Sequence, residues 1–557
     1  MKGCVLSRKN ASGFLAGFGR PVYFQKGMTK ETRTDTSKVL IFAVFSRIVS
    51  LVLQAVCNLL IPDHEPDAFQ PPRLCKPSKY DTVVEALFGG LSRWDAEHFL
   101  FIAEHGYVFE HNFAFFPLLP LSLRAVASSL YWPLGGWLNF RSCLLLSAVV
   151  INSVLFVLNT VTLFKLSRLV LQDRLLAYYS SLLYSITPAN VFMVVAYSES
   201  LFAFLSFAAM LQLEKKRITL SCILFALATA TRSNGIVSAG FLGYSQLQNC
   251  IQHLRVTRRN KNTSKLLPCV GISAWFFLLV LVGTVVILLP FGLFQYYGYK
   301  VFCNPTRRIE DLPLALIKLS NRKGYRLPDV SQELPAWCFY QWPLLYSYIQ
   351  DVYWNVGFLR YYKLRQVPNF LLGLPIIVLG TQAAWRYFRT KPWFCLQLGL
   401  VRRDDMTDNT HNDGKIKANK LAQGFFSARV FVYLVHGTLL LMFGIFCMHV
   451  QVTTRFLASS SPILYWYCTQ LLRDNEPLLN LESKEKQTPL SVKQQTHKRP
   501  GSFIICRLLW KVVPRNTLTE LLVKWKQTNL VTKCILGYFV SYWVLGLLLH
   551  CNFLPWT

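Results

Sequence analysis

Charged residues are scarce in this chain of 557 residues, and acidic residues are the scarcest. Charged residues make up 16% of the sequence, against about 25% in a typical soluble protein. The 59 Lys and Arg outnumber the 28 Asp and Glu, which gives a formal net charge of +31. Because 53% of the residues are hydrophobic and the mean hydropathy is +0.32, the composition argues against a soluble nucleic-acid-binding protein and favours a membrane protein.

Metal-binding patterns and internal repeats are also missing from the sequence. The 15 cysteines are scattered, with no CxxC pair and no His/Cys cluster at zinc spacing. We therefore expect no metal and no cofactor. Cys75, Cys303 and Cys338 lie in polar connections, where an oxidising lumen would allow disulfide formation, and their pairing stays open.

Long apolar runs predict an all-α polytopic membrane protein with about eleven transmembrane helices. The runs lie at 39–61, 142–165, 174–190, 199–214, 217–232, 233–249, 268–296, 368–388, 426–450, 454–472 and 530–551. The stretch 112–131 is interrupted by prolines and by Arg124, and we expect it to lie on the lumenal face without crossing the membrane.

Charge distribution orients the predicted helices, because basic residues collect on the cytosolic side of membrane proteins. The sequence predicts a basic cytosolic segment at 1–38, which does not resemble a cleavable signal peptide. A transmembrane domain at 39–472 and a basic cytosolic connection at 473–528 follow. The last transmembrane helix and a lumenal C-terminus occupy 529–557.

Three connections interrupt the transmembrane domain: a first lumenal loop at 62–141, a large lumenal loop at 297–367 and a cytosolic insert at 389–425. The large lumenal loop carries ten basic and five acidic residues, and its Trp, Tyr and Pro content predicts a folded element. In the second cytosolic connection, 503–513 and 518–525 are typical of basic amphipathic helices on an anionic leaflet. A solvated linker explains them equally well.

Carboxylates and imidazoles are concentrated after the first predicted span, in SRWDAEHFLFIAEHGY (92–107). A helix would place Asp95, His98 and His105 on one side and Glu97 on another. A carboxylate at a membrane boundary is costly unless it has a task or a partner. An interfacial helix anchored by an aromatic residue is the simpler interpretation. The two histidines lack the HExxH spacing of a zinc site.

Further polar residues interrupt the apolar runs near the same predicted face. They are Glu199, Arg232 in the turn TRSNG, Trp354, Asn355 and Arg455. An acid at such depth is a functional candidate, and a cation there suits a phosphate. A helix N-cap, an ordinary turn and snorkelling to lipid headgroups are the simpler explanations. Acids and arginines together on the lumenal face suit an enzyme that uses a lipid-phosphate sugar donor.

Six motifs occur in one order along the chain. They are SRWDAEHFLFIAEHGY, FAFFPLLPL, TPANVFMVVAYSESLF, RSNG, YWNVGFLRYYKLRQVPNFLL and HVQVTTRFLASSSPILYW. Together they resemble the GPI mannosyltransferase 2 family (PIG-V), from about residue 39 to the C-terminal NFLPWT. The sequence departs from the family in the polar inserts at 389–425 and 473–500.

The resemblance implies a GT-C type glycosyltransferase of the endoplasmic reticulum membrane. Such an enzyme transfers the second mannose, in α1,6 linkage, from dolichyl-phosphate mannose to mannosyl-glucosaminyl-phosphatidylinositol, by an inverting displacement that needs no metal. A small membrane accessory subunit is left open. Another dolichyl-phosphate-sugar transferase, a non-catalytic subunit of GPI synthesis and a polytopic transporter are the alternatives. The motif order disfavours the first, and the lack of repeats disfavours the transporter.

The resemblance also implies roles for individual residues. Asp95 is the expected base, because GT-C enzymes keep an essential acid in the first lumenal loop, and Glu97 is the alternative base. The other expected roles are support of the base by His98 and His105, donor-phosphate binding by Arg232 and Arg455, and sugar or acceptor binding by Glu199, Trp354 and Asn355.

Overall fold

The computed structural model describes residues 30–65, 67–259, 266–306, 312–329, 333–400, 423–477, 479, 513–554 and 556. Within these residues the chain forms helices and no strand, which confirms the predicted all-α class. The helices of the first half are α1 (Lys30–Leu60), α2 (Lys79–Phe88), α3 (Asp95–His105), α4 (Leu118–Leu134), α5 (Phe140–Leu171), α6 (Arg174–Ser185), α7 (Asn190–Val194), α8 (Glu199–Glu214), α9 (Ile218–Thr231), α10 (Ala239–Arg259) and α11 (Leu266–Cys303). Those of the second half are α12 (Leu314–Lys323), α13 (Leu345–Val352), α14 (Val367–Thr390), α15 (Pro392–Leu396), α16 (Phe431–Phe446), α17 (Thr453–Ser460), α18 (Ile463–Asn475), α19 (Thr517–Val523) and α20 (Leu530–His550).

Among the described residues, six helices are long and apolar enough to cross a bilayer, namely α1, α5, α11, α14, α16 and α20. The other five predicted spans correspond to helices that are shorter, interrupted or more polar. For example, in 174–190 helix α6 covers 12 residues and ends at Ser185, and 454–472 is divided between α17 and α18. A polytopic membrane protein is confirmed, and the number of eleven crossings stays a prediction.

The helix breaks in two of these apolar runs, 174–190 and 454–472, lie side by side in the core. Proline cannot continue a helix without losing a backbone hydrogen bond, and both breaks contain one, at Pro188 and Pro462. The hydroxyls of Thr187 and Tyr465 lie 2.8 Å apart, and the Tyr465 hydroxyl also donates to the carbonyl of Ala458 at 3.1 Å. Irregular backbone is tolerated within a membrane protein where it is enclosed by other segments. These short helices therefore pack inside the longer ones.

Helix α1 begins nine residues before the predicted apolar run, inside the segment expected to be a polar cytosolic extension. The side chain of Asp35 is buried and binds Arg174, with Arg174 Nε to Asp35 Oδ2 at 2.6 Å and Nη2 to Oδ1 at 3.0 Å. Glu31 in the first helical turn also pairs with Arg174 and suits the positive end of the helix dipole. Within the described residues the helix thus includes Lys30 to Lys38, which the sequence assigns to the predicted cytosolic segment.

The amphipathic segment 518–525 is partly helical, and part of its apolar side packs against the protein itself. Helix α19 covers Thr517–Val523, and Leu518 and Leu521 are buried in the main hydrophobic core, where α19 contacts α6. Val523 and Trp525 of the same segment remain exposed, so the interpretation of this helix as a membrane-surface element stays a prediction. Of the segment 503–513, all but the last residue lies outside the described residues.

The first loop and the large loop are joined by a buried carboxylate. Glu110 accepts hydrogen bonds from Trp337 Nε1 and from the Tyr353 hydroxyl, each at 2.8 Å, and its side chain is buried. A disulfide between Cys303 and Cys338, with a Cα–Cα distance of 5.7 Å, ties the end of α11 to the same region. The described parts of the large loop are thus folded, as the composition predicts.

The disulfide answers one of the questions that the sequence leaves open. Of the three cysteines in polar connections, Cys303 and Cys338 pair, and Cys75 is a free, exposed thiol.

Candidate active site

Asp95 occupies the first position of α3, directly after a backbone turn of unusual geometry. Trp94 has φ of +58°, a value in the left-handed region that residues other than glycine seldom adopt, and its ring contacts Phe553 at 5.9 Å between centroids. Arg93 on the other side of the turn pairs with Asp63 at 2.7 Å. Strained backbone of this kind is often found at functional sites. The turn places the Asp95 carboxylate at the positive end of the helix dipole, which favours its charge.

The carboxylate of Asp95 forms an ion pair with Arg455, a residue of α17 that lies 360 positions later in the chain. Arg455 Nη1 is 3.1 Å from Asp95 Oδ2. The guanidinium carbon lies 5.1 Å from the ring centre of Phe192 and 5.5 Å from that of Tyr197, within cation–π range. The Asp95 side chain keeps 33% of its surface exposed and that of Arg455 keeps 17%, so a ligand can reach this pair.

A second acid–arginine pair lies beside the first. Glu199, the first residue of α8, binds Arg232, and its side chain is 1% exposed. Arg232 Nη1 also donates to the Ser198 hydroxyl at 3.3 Å, whereas the Ser198 side chain makes no capping bond to the helix. Glu199 lies within electrostatic range of Arg455. The two pairs therefore form one charged cluster, and the N-cap explanation of this motif does not hold.

The turn TRSNG is fixed tightly between its neighbours. Asn234 donates to the Ser460 hydroxyl at 2.9 Å, and the Ser233 hydroxyl lies 2.7 Å from that of Tyr346. A Cβ atom at Gly235 would stand 2.6 Å from the backbone of Thr229, so only glycine fits there. These contacts hold Arg232 against α17, the helix that carries Arg455.

Three aromatic residues of this cluster were not predicted from the sequence. The Tyr197 hydroxyl accepts the backbone N–H of Asp95 at 3.1 Å and lies 3.2 Å from His550 Nε2. His449 donates from Nε2 to the carbonyl of Trp354 at 2.9 Å and lies within electrostatic range of Asp95 and Arg455. Tyr197 and His449 belong to motifs that the sequence singled out, but no pattern marked His550. We call Asp95, Arg455, Glu199, Arg232 and Tyr197 the Asp95 site.

Trp354 and Asn355 border the Asp95 site in different ways. The Trp354 carbonyl binds His449, and its ring lies 6.0 Å from that of Phe115. Asn355 has a φ of +50°, is exposed, and donates its N–H to the carbonyl of Asp351 at 3.0 Å. Trp354 is thus linked to the site through its backbone, while the side chain of Asn355 faces outward.

Glu97 belongs to a different cluster of charges. Its two carboxylate oxygens bind Arg73 Nη1 at 2.9 Å and Arg141 Nη2 at 2.5 Å. Glu104 Oε2 lies 3.8 Å from His105 Nε2 in the same region. These residues line a cavity of about 330 Å³ between the first loop and the start of α5. The structure thus brings His105 together with Glu97, and separates both from the Asp95–Arg455 pair.

His98 is enclosed by aromatic rings. Its imidazole stacks between Phe69, at 4.3 Å, and Phe115, at 4.5 Å, and Asn112 Nδ2 lies 3.4 Å from His98 Nδ1. Burial lowers the pKa of His98 to about 3, so the ring is neutral at physiological pH. The imidazole therefore packs between aromatic side chains beside α3. Its expected support of the Asp95 carboxylate stays a prediction.

Replacing Glu97 by Ala should destabilise the fold. The change leaves the Arg141 guanidinium, whose side chain is 11% exposed, without its closest carboxylate. Breaking a buried ion pair from one side typically costs about 3–5 kcal/mol. We expect a lower thermal unfolding midpoint and less folded protein in detergent.

Asp351→Ala provides the control, because the Asp351–Arg360 pair is about half exposed on both sides and such pairs contribute about 1 kcal/mol or less. An unchanged midpoint with a selective loss of activity in Glu97→Ala would instead support Glu97 as the base.

No group of three or more His, Cys, Asp or Glu side chains arranged to hold a metal occurs among the residues that the structure describes. The polar chemistry of the Asp95 site is that of carboxylates, guanidinium groups and a tyrosine hydroxyl. Such a set can accept a proton from a hydroxyl group and bind a phosphate.

The helices and the charged cluster define a polytopic membrane protein with an ionisable site at the ends of several helices. Residues 36–557 match the family described as Mannosyltransferase (PIG-V). The chain is 50% identical to GPI alpha-1,6-mannosyltransferase 2 of Cricetulus griseus and 49% identical to that of Homo sapiens, in each case over 93% of this chain and 98% of the relative. It is 31% identical to GPI mannosyltransferase 2 of Drosophila melanogaster, over 81% of this chain and 94% of the relative.

The chain belongs to the PIG-V mannosyltransferase family, and it is a multi-pass membrane glycosyltransferase. Among solved structures, the Archaeoglobus fulgidus oligosaccharyltransferase is similar with a TM-score of 0.37 and 10% identity, covering 90% of this chain and 55% of that chain. At that TM-score the likeness adds nothing to what the helices themselves show.

Proposed function

We propose that this protein transfers the second mannose, in α1,6 linkage, from dolichyl-phosphate mannose to the mannosyl-glucosaminyl-phosphatidylinositol precursor of the GPI anchor. The names of the relatives at 49–50% identity support the linkage and the acceptor class. The partly exposed pair of Asp95 and Arg455 is the observation that carries the proposal, because it combines a proton acceptor with a phosphate-binding cation. We place the reaction on the lumenal face of the endoplasmic reticulum membrane, with the N-terminus in the cytosol.

The expected chemistry is a single displacement with inversion. The 6-hydroxyl oxygen of the acceptor mannose attacks the anomeric carbon of the donor, and the bond from that carbon to the phosphate oxygen breaks. The hydroxyl proton passes to the Asp95 carboxylate, and dolichyl phosphate leaves with the electron pair. A positioned base contributes about 10²–10⁴-fold. Arg455 would stabilise the charge on the departing phosphate.

The Asp95–Arg455 pair also suggests how the base becomes available. Arg455 Nη1 donates a hydrogen bond to Asp95 Oδ2 at 3.1 Å. A donor phosphate that binds this guanidinium competes for the same N–H groups and releases the carboxylate for the acceptor hydroxyl. Donor binding would thereby precede activation of the base.

Arg232 and Glu199 support this arrangement from the second pair. Glu199 is 1% exposed and bound to Arg232, which favours a role in holding the arginines over direct contact with acceptor hydroxyls. Arg232 is 19% exposed and remains a candidate for the donor phosphate. We propose Trp354 and Asn355 as contacts for the sugars at the rim of the site.

The function is tested by complementation of cells that lack the second mannosyltransferase of GPI synthesis. Expression of this chain should restore surface GPI-anchored proteins and consume the one-mannose lipid intermediate, as measured by lipid profiling. Persistence of that intermediate at normal protein levels would contradict the proposal. Coexpression of the host's own small accessory subunit is the appropriate control.

Transfer should not depend on a divalent cation. The proposed roles use only side chains of the chain itself, so EDTA added to a microsomal assay should leave the rate within about twofold of the untreated rate, a change of about 0.4 kcal/mol in barrier. The synthesis of the donor must be bypassed in this assay by adding dolichyl-phosphate mannose directly. A rate that falls tenfold with EDTA and recovers with Mn²⁺ or Mg²⁺ would show a metal requirement.

A further inference from the structure

A loop at residues 357–366 lies beside the ends of two long apolar helices. The apolar span Leu364–Thr390 begins within it, and the span Ala428–Phe446 ends beside it. The backbone N–H of Gly357 donates to the carbonyl of Cys447 at 3.1 Å, and that of Leu359 donates to the carbonyl of Phe446 at 2.7 Å. Because the loop lies at the ends of two candidate spans, we expect it to lie where hydrocarbon meets headgroups. We call residues 357–366 the interfacial loop.

The interfacial loop exposes large apolar side chains together with cations. Phe358 is 71% exposed and Leu364 is 92% exposed, values that suit contact with lipid more than contact with water. Lys363 and Arg365 are also exposed, and within the described part of the chain neither forms an ion pair. By contrast, Arg360 is bound to Asp351. Aromatic and basic residues in this mixture are typical of segments that contact anionic lipids.

The interfacial loop also touches the surroundings of the Asp95 site. The Tyr361 ring stacks on the imidazole of His449, with centroids 4.6 Å apart and an angle of 23° between the planes. His449 in turn binds the Trp354 carbonyl at 2.9 Å and lies within electrostatic range of Asp95 and Arg455. A lipid bound at the loop would therefore have its headgroup near the entrance to the site.

We propose that the interfacial loop captures the polyisoprenyl phosphate sugar donor from the membrane before its phosphate reaches Arg455. Lys363 and Arg365 would attract the single negative charge of the phosphodiester, while Phe358 and Leu364 lie among the isoprenoid and acyl chains. This inference rests on the proposed function. It adds a docking site for the donor lipid outside the catalytic cluster.

The test compares a donor that must be captured from a bilayer with one that need not be. The full-length protein is reconstituted in phosphatidylcholine vesicles and supplied either with long-chain dolichyl-phosphate mannose or with a short, water-soluble isoprenyl-phosphate mannose. Loss of one basic residue near a membrane weakens anionic-lipid attraction by about fivefold. The double variant Lys363→Ala, Arg365→Ala should therefore raise the apparent KM for the long-chain donor at least fivefold, with kcat and the KM for the short donor unchanged.

A matched variant removes two exposed cations from another part of the same large loop. Lys318→Ala, Arg322→Ala in α12 carries the same change in charge and should leave both KM values unaltered. Equal increases in KM for both donors in the test variant would place Lys363 and Arg365 at the reacting phosphate and overturn the capture role. Unchanged KM values for both donors would show that Lys363 and Arg365 only contact lipid headgroups. That result would also contradict the capture role.

A binding measurement separates this inference from the proposed function. The protein in phosphatidylcholine nanodiscs is titrated with dolichyl monophosphate, which needs no turnover. Weaker binding by the Lys363→Ala, Arg365→Ala variant, with normal binding by the Lys318→Ala, Arg322→Ala variant, supports capture even if the wild-type protein fails to transfer mannose. Equal binding by both variants contradicts capture whatever the transferase activity.

Discussion

Replacement of Asp95 by Asn should abolish transfer of mannose to the one-mannose GPI intermediate without reducing the amount of protein. The amide has the same shape as the carboxylate and can still face Arg455, but it cannot accept a proton. Loss of a general base typically lowers a rate by about 10²–10⁴-fold. In complemented cells, the one-mannose lipid should accumulate to the level of the uncomplemented cells, as measured by lipid profiling.

The appropriate control is Asp67→Asn, another carboxylate of the first loop. Its side chain is 96% exposed and pairs with Lys323 on the surface, so its removal should change neither protein level nor activity. Near-normal transfer by Asp95→Asn would rule out its carboxylate as the base. A fully active variant in cells that need the protein would instead favour a non-catalytic subunit.

Replacement of Arg455 by Ala should impair use of the donor more than use of the acceptor. The guanidinium is the cation in contact with the proposed base, and its loss removes a charge that would stabilise the leaving phosphate. Removal of one such electrostatic group typically costs about 10²–10³-fold in rate. We expect the apparent KM for dolichyl-phosphate mannose to rise and kcat to fall, in assays that vary each substrate separately.

Two further variants make the result specific. Arg455→Lys retains the charge but not the planar pair of donors, so it should recover part of the donor affinity. Arg386→Ala removes a guanidinium whose partner Asp474 lies 3.4 Å away on an exposed surface, and it should behave like the wild type. A rise in the acceptor KM alone would move Arg455 to the acceptor side of the site.

The long apolar helices and the start of α3 could be predicted from sequence because their signals are local. Six apolar runs of sufficient length became the six long apolar helices. The same local geometry separates Asp95 from Glu97, since residues two apart in a helix point about 200° away from each other. The structure follows this rule, with Asp95 bound to Arg455 and Glu97 bound to Arg141.

Contacts between distant segments could not be predicted in this way. Tyr197 and His550 meet near Asp95, but nothing in a single sequence connects positions 353 residues apart. The helix breaks at Pro188 and Pro462 could not be predicted either, because an apolar run of 17–19 residues reads as one continuous helix when a break within it is enclosed by protein. The packing of distant segments determines where these helices break, and that packing cannot be inferred from the local sequence.

The carboxylate of Glu110 has a consequence for the biosynthesis of the protein. Its partners Trp337 and Tyr353 follow it by 227 and 243 residues. At roughly 5–20 residues per second of synthesis, the carboxylate waits about 12–50 s for both partners to be made. Until then the first loop lacks the contacts that close it over the large loop. A ribosome-bound nascent chain would therefore carry the Glu110 carboxylate without these two hydrogen-bond donors until most of the large loop has been synthesised.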